Sequence, residues 1–110
     1  MSEHLSSLSH DDLSLRGIPS GQLVEEYTFW GDGEIELILT GNVMIDPQQL
    51  ETEGNHIIPI DAPFYVDRFE QFKKLAAGAK AHGSLTVAQV PLSSYRLNSV
   101  ILNFVRYYSL

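Results

Sequence analysis

Residues 14–46 constrain the fold more than any other stretch, because an amphipathic segment runs there directly into a short apolar one. The helical positions are Leu23, Val24, Tyr27 and Trp30, with Ser20 as the N-cap and Gly31 and Gly33 at the end. The apolar run 35–40 is too short for a buried helix and favours a strand. Its polar end, Thr40-Gly41-Asn42, predicts a turn like those that carry ligand contacts in parallel α/β folds.

The second half of the chain repeats the order of helix and strand. Residues 64–81 are helical in period, and residues 85–90 form an apolar, β-branched run typical of a strand. The apolar face of this helix consists of Phe69, Phe72, Leu75, Ala76 and Ala79, and His82-Gly83 closes it as a C-cap. Between the halves, residues 41–63 predict a long irregular loop. The alternation predicts an α/β fold with βαβ units around a parallel sheet.

Composition limits the kinds of partner. A chain of 110 residues supplies one domain at most. Its net charge of -7 repels phosphate backbones and anionic lipid, so we expect no nucleic acid and no membrane partner. Cysteine is absent, and the first residues lack the features of a signal peptide. No run approaches the roughly 20 apolar residues of a membrane span. These features predict a cytoplasmic protein.

Two places carry side chains suited to ligand binding. Thr40-Gly41-Asn42 offers a hydroxyl, a close backbone and an amide, although the same residues also suit an ordinary turn. Gln89 is a lone amide at the end of an apolar strand, and it can donate to and accept from a heterocycle at once. A polar residue that meets solvent at a strand end is the alternative for Gln89.

Other chemistries find no support in the sequence. The histidines are scattered without an HxH or HxxxH pair, which argues against a metal site. There is no GxSxG, GxxxxGKS or GxGxxG motif, and Gly31-Asp32-Gly33 is too short for a dinucleotide fingerprint. The paired acids are typical of a solvated surface rather than of general acid–base catalysis.

Several motifs together resemble one enzyme family. They are RGIP at 16–19, WGDG at 30–33, LILTGNV at 37–43 and AKAHGSLTVAQ at 79–89. In this order they resemble the N-terminal part of the NADH:flavin oxidoreductase family, the Old Yellow Enzyme group, in its fungal branch. The resemblance covers the chain from Met1 to about Gln89. It implies a (β/α)8 barrel that binds FMN, takes hydride from NADH or NADPH and passes it to an electron-poor alkene.

The resemblance also implies roles for individual residues. Met1-Ser2-Glu3 is similar to the end of the family's first strand, where Ser2 would offer a hydroxyl to the flavin. Asn42 falls after the second strand, close to the flavin, with Thr40 and Gly41 before it. Gln89 is similar to the third-strand glutamine that hydrogen-bonds the pyrimidine edge of the ring. The implied cofactor site is therefore Ser2, Thr40, Gly41, Asn42 and Gln89.

The chain departs from the family pattern after Gln89. Residues 91–110 carry two basic residues and no acid, and their apolar residues have no clear period. We therefore expect two parts: 1–90, running from the end of strand one to strand three of a partial barrel, and 91–110, an unrelated apolar tail. The family's substrate-binding His/Asn pair and proton-donating Tyr have no counterpart here. The expected function is an incomplete, inactive FMN-dependent oxidoreductase, with a small non-enzymatic interaction module as the alternative.

Overall fold

A computed structural model describes residues 12–50, 52–59 and 67–90, which form two helices and three strands. In chain order these are α1 (Gly21–Asp32), β1 (Leu37–Met44), β2 (His56–Ile57), α2 (Asp67–Lys80) and β3 (Leu85–Gln89). The strands form a parallel sheet in the order β2-β1-β3. The predicted α/β class with a parallel sheet is confirmed. The closed barrel stays a prediction, and both Ser2 and the tail 91–110 lie outside the described residues.

Helix α1 begins and ends at local signals. The Ser20 side chain accepts a hydrogen bond from the Leu23 N–H at 3.1 Å, which confirms the predicted N-cap. At the other end, the Gly33 N–H donates to the Trp30 carbonyl, also at 3.1 Å. The predicted end of the helix at these glycines is confirmed, although Gly33 has a φ of -76° and is not left-handed. Glu34 takes up the left-handed conformation instead, with a φ of 57°.

Helix α2 follows its sequence signals closely. Asp67 and Glu70 lie in its first turn and Lys80 in its last, so each charge interacts favourably with the helix dipole. Gly83 has a φ of 91°, which confirms the predicted C-cap because that conformation suits glycine. The predicted apolar face is confirmed, since its five residues are all buried.

Strand β1 differs most from its prediction. It continues to Met44 instead of turning at Thr40-Gly41-Asn42, so the predicted polar turn is wrong. The reason is a second partner strand: Val43 and Met44 pair with His56 and Ile57 of β2. The prediction of a long irregular loop over 41–63 is also wrong in part, because this range contains the end of β1 and all of β2.

The two edges of β1 are used by different neighbours. Leu37, Ile38 and Leu39 pair with β3, and the register then shifts between Leu39 and Asn42. Such a shift marks a β-bulge or similar irregularity, which bends a strand and re-aims its side chains. Beyond the irregularity, Asn42 still pairs with Gln89 of β3, and Val43 and Met44 pair with β2 on the other edge.

The helices pack together on one face of the sheet. The buried cluster contains Leu23, Tyr27, Ile38, Val43, Ile58, Phe69, Phe72, Leu75, Ala76 and Ala79. The two helices approach closely where a methyl group on Gly31 would lie 2.3 Å from the Gly78 carbonyl oxygen. A methyl group on Gly78 would lie 2.1 Å from the Thr28 hydroxyl oxygen. The absence of side chains at both glycines therefore sets the distance between α1 and α2.

The opposite face of the sheet is apolar and exposed. Leu37, Leu39, Leu85 and Val87 are 49%, 52%, 63% and 41% accessible. They alternate along their strands with the half-buried and buried residues that face the helices. The sheet is therefore covered by helices on one side only within the described part of the chain.

Candidate ligand site at the ends of two paired strands

The Thr40 hydroxyl ties β1 to the end of β3. Its oxygen accepts a hydrogen bond from the Gln89 backbone N–H at 3.2 Å and donates to the Gly41 carbonyl oxygen at 2.8 Å. Thr40 is only 1% accessible, on the same side of β1 as Ile38. The Thr40 hydroxyl is therefore buried and acts both as donor and as acceptor, which holds the backbone of Gln89 in place.

Asn42 and Gln89 are adjacent on the two strands. Their Cα atoms are register partners across the β1–β3 pair, at the carboxyl ends of the paired segments. Gln89 is exposed and Asn42 is half-buried. The structure therefore brings together two amide residues that lie far apart in sequence. Side-chain amides supply both donors and acceptors, so this edge suits a flat ligand with an alternating hydrogen-bonding edge.

Tyr27 supports the same end of β1 from the helix layer. The Gly41 backbone N–H donates to the Tyr27 phenolic oxygen at 2.9 Å, and Tyr27 is fully buried. The Tyr27 ring also packs edge-on against Trp30, with ring centroids 5.0 Å apart. Tyr27 was expected only as an apolar helix position. Its hydroxyl satisfies a backbone donor where the ladder is irregular, and helical spacing gives no signal of that role.

Arg68 is a second residue that the sequence did not reveal. It lies 4% accessible on α2 and donates to the carbonyl oxygens of Ile57, Ser14 and Arg16 at 2.7, 3.0 and 2.7 Å. It therefore connects α2, β2 and the turn that precedes α1. The only hint in the sequence is its position directly before Phe69, on the edge of the apolar face. A charged side chain there must either reach solvent or find hydrogen-bond partners in the interior.

The remaining predicted features fall elsewhere. Ser2 lies outside the described ranges, so its predicted flavin contact stays a prediction. An open hollow of about 200 Å³ is lined by Trp30, Ile35 and the residues 37–39, and Gln89 is not part of this lining. Among the described residues, no group of three or more His, Asp or Glu side chains is placed to hold a metal ion. No described helix is long and apolar enough to cross a bilayer.

Comparison with known proteins gives one strong similarity. The chain is 53% identical over 90 residues to the NADH-dependent flavin oxidoreductase nadA of Aspergillus parasiticus. The match covers 82% of this chain but only 20% of that protein, so the chain spans about a fifth of its relative's length. No protein-family model matches the chain. The similarity confirms, over the 90 residues that it covers, the resemblance of the motifs to the NADH:flavin oxidoreductases.

Proposed function

We propose that this chain forms part of the FMN site of an NAD(P)H-dependent oxidoreductase of the ene-reductase type. The observation that carries the proposal is the pairing of Asn42 with Gln89 at one end of the sheet. Ligands of parallel α/β folds bind at the carboxyl ends of the strands. Gln89 is the last residue of β3 and Asn42 lies two residues before the end of β1, which supports a ligand position near the two amides.

Each residue of the proposed site has a distinct role. Gln89 is exposed and offers both a donor and an acceptor to the pyrimidine edge of the flavin. Asn42 lies beside it, and the Gly41 backbone lies next to Asn42. Thr40 is a positioning residue, because its hydroxyl is already bonded to the Gln89 N–H and the Gly41 carbonyl. Ser2 is included from the family resemblance alone.

FMN, when bound, would supply the hydride chemistry that the protein side chains lack. The contribution of this chain would be to bind the ring and to direct donors at it. Fixed donors favour the negative charge that develops as the ring is reduced, without reorganising during the reaction. This is an electrostatic role for Gln89, and it requires no proton transfer by the residue.

The layered architecture supports a barrel segment. In a (β/α)8 barrel the helices lie outside and branched apolar side chains fill the interior. Here the helices cover one face of the sheet, and leucine and valine side chains occupy the other. We therefore propose that β1 and β3 correspond to neighbouring barrel strands, connected through α2.

Binding of FMN can be tested on the full chain by titration, with quenching of flavin fluorescence as the measurement. We expect weaker binding in Gln89→Ala and unchanged binding in Gln22→Ala, a matched change at an exposed position of α1. Equal affinities of wild type and Gln89→Ala would remove Gln89 from the site. A soluble, folded chain that binds no FMN would instead favour the interaction module.

Turnover needs a separate assay. The substrate is proposed to be an electron-poor alkene, with NADH or NADPH as donor. We expect no oxidation of NADPH with an enone acceptor by this chain alone, because the family's substrate-binding and proton-donating residues have no counterpart in it. A rate comparable to that of a full-length family member would contradict this expectation.

A further inference from the structure

The bare face of the sheet is a defined apolar patch. Leu37 is in register with Leu85, and Leu39 with Val87, so four large side chains form two adjacent cross-strand pairs. All four are more than 40% accessible, and the neighbouring Ile35 is 42% accessible. The hollow beside Trp30 continues this patch. Contiguous exposed apolar surface of this kind marks a place where another segment or molecule binds.

We propose that residues 100–108 of the same chain pack across this patch. Their sequence, VILNFVRYY, is apolar or aromatic at all but two positions. It lacks the spacing of an amphipathic helix that would cover itself. A segment this apolar needs a partner surface, and the bare sheet face supplies one of the same chemical character.

The connection is long enough for an intramolecular contact. Strand β3 ends at Gln89, so the undescribed segment starts at the end of the patch itself. When extended, residues 91–99 can span up to about 30 Å. The five-residue β3 is about 17 Å long. The connection can therefore return along the whole patch and place 100–108 on any part of it.

Charge favours the same arrangement. All fourteen acidic residues precede residue 91, whereas the segment after it carries only Arg96 and Arg106 as charged side chains. Glu34 and Glu36 are exposed at the start of β1, at one end of the patch. The basic segment is thus attracted to an acidic border. The inference goes beyond the proposed function. Gln89 follows Val87 on the same face of β3, so the patch borders the candidate ligand site, and the contact is measured without flavin.

Disulfide trapping tests the contact directly, because the chain contains no cysteine of its own. Leu39→Cys is combined with Phe104→Cys in the full chain, and mild oxidation is followed by non-reducing electrophoresis and peptide mass spectrometry. The matched control combines Phe104→Cys with Lys74→Cys, an exposed position of α2. We expect an intramolecular disulfide in the first pair and at least tenfold less in the control. Equal trapping in both pairs, or a disulfide only between chains, would overturn the proposal.

Trp30, the only tryptophan of the chain, gives a second measurement. Phe104→Asp should shift its emission to longer wavelength and increase the binding of an apolar dye severalfold, with the circular dichroism unchanged. Ser94→Asp, in the connection, should do neither. Unchanged emission and dye binding in a folded Phe104→Asp variant would overturn the proposal. If that variant unfolds, the result of the disulfide trapping alone tests the contact.

Discussion

The Tyr27 phenolic oxygen accepts a hydrogen bond from the Gly41 backbone N–H at 2.9 Å, so a buried side chain of α1 supports β1 where its register shifts. The relationship connects the helix layer to the segment that holds Thr40 and Asn42. The geometry of the candidate site therefore depends on a fully buried residue of the helix layer.

Tyr27→Phe should lower the free energy of unfolding by about 1–3 kcal/mol, because it leaves a buried backbone donor without its acceptor. Urea denaturation measures the change. Ser84→Ala is the control, since the buried Ser84 hydroxyl has no hydrogen-bond partner among the described residues. We expect that control to be neutral or slightly stabilising. Equal losses in the two variants would show that the Tyr27 hydroxyl has no special role.

Thr40→Val keeps the shape of the side chain and removes the hydroxyl that bonds the Gln89 N–H. We expect a loss of about 1–2 kcal/mol and faster hydrogen exchange of the Gln89 amide. Thr86→Val is a close control, because Thr86 lies on β3 and its buried hydroxyl has no partner in the described part of the chain. Unchanged exchange at Gln89 in Thr40→Val would exclude the positioning role.

Arg68→Met should destabilise the fold by about 3 kcal/mol or more, because the carbonyl oxygens of Ile57, Ser14 and Arg16 lose a charged donor. Methionine retains much of the apolar stem, so the loss reports mainly on the guanidinium. Lys74→Met, at an exposed position of the same helix, should change stability by less than about 0.5 kcal/mol. Similar stability of both variants would mean that the carbonyls find other partners at little cost.

Gly31→Ala should destabilise the chain by about 1–3 kcal/mol, since its methyl group would meet the Gly78 carbonyl oxygen at 2.3 Å and force the helices apart. Gly21→Ala is the matched control in the same helix, because nothing lies within 4 Å of a methyl group there. We expect the control to be as stable as wild type or slightly more stable. Thermal unfolding of the two variants compares them directly.

The helices could be predicted because their determinants are local. Ser20, the apolar period of α2 and Gly83 act on residues within a turn or two of themselves. The continuation of β1 could not, because it depends on pairing with residues 56–57, beyond an irregular segment. Glycine and asparagine inside Thr40-Gly41-Asn42 are typical of turns, and the tertiary contact overrode that preference.

The candidate site could be predicted only where its determinants are local in the sequence. The position of Gln89 at the end of a strand is confirmed, since its determinants lie in residues 85–89. Its neighbour in space, Asn42, follows from strand register rather than from spacing. Arg68 was missed because its role is defined by carbonyl oxygens of residues 14, 16 and 57. The periodicity of a sequence does not show which carbonyl oxygens a buried donor such as Arg68 will contact.

The parallel pairing of Leu37 with Leu85 has a consequence for the order in which the chain folds. During synthesis β1 leaves the ribosome long before β3, so its edge waits unpaired while the intervening residues are made. Closing that long connection is slow, because the entropy of loop closure opposes it before any strand contact forms. Packing of α2 on α1 brings β1 and β3 closer together, so the two strands pair sooner. The nascent chain should therefore be most prone to aggregation just before residues 85–89 emerge.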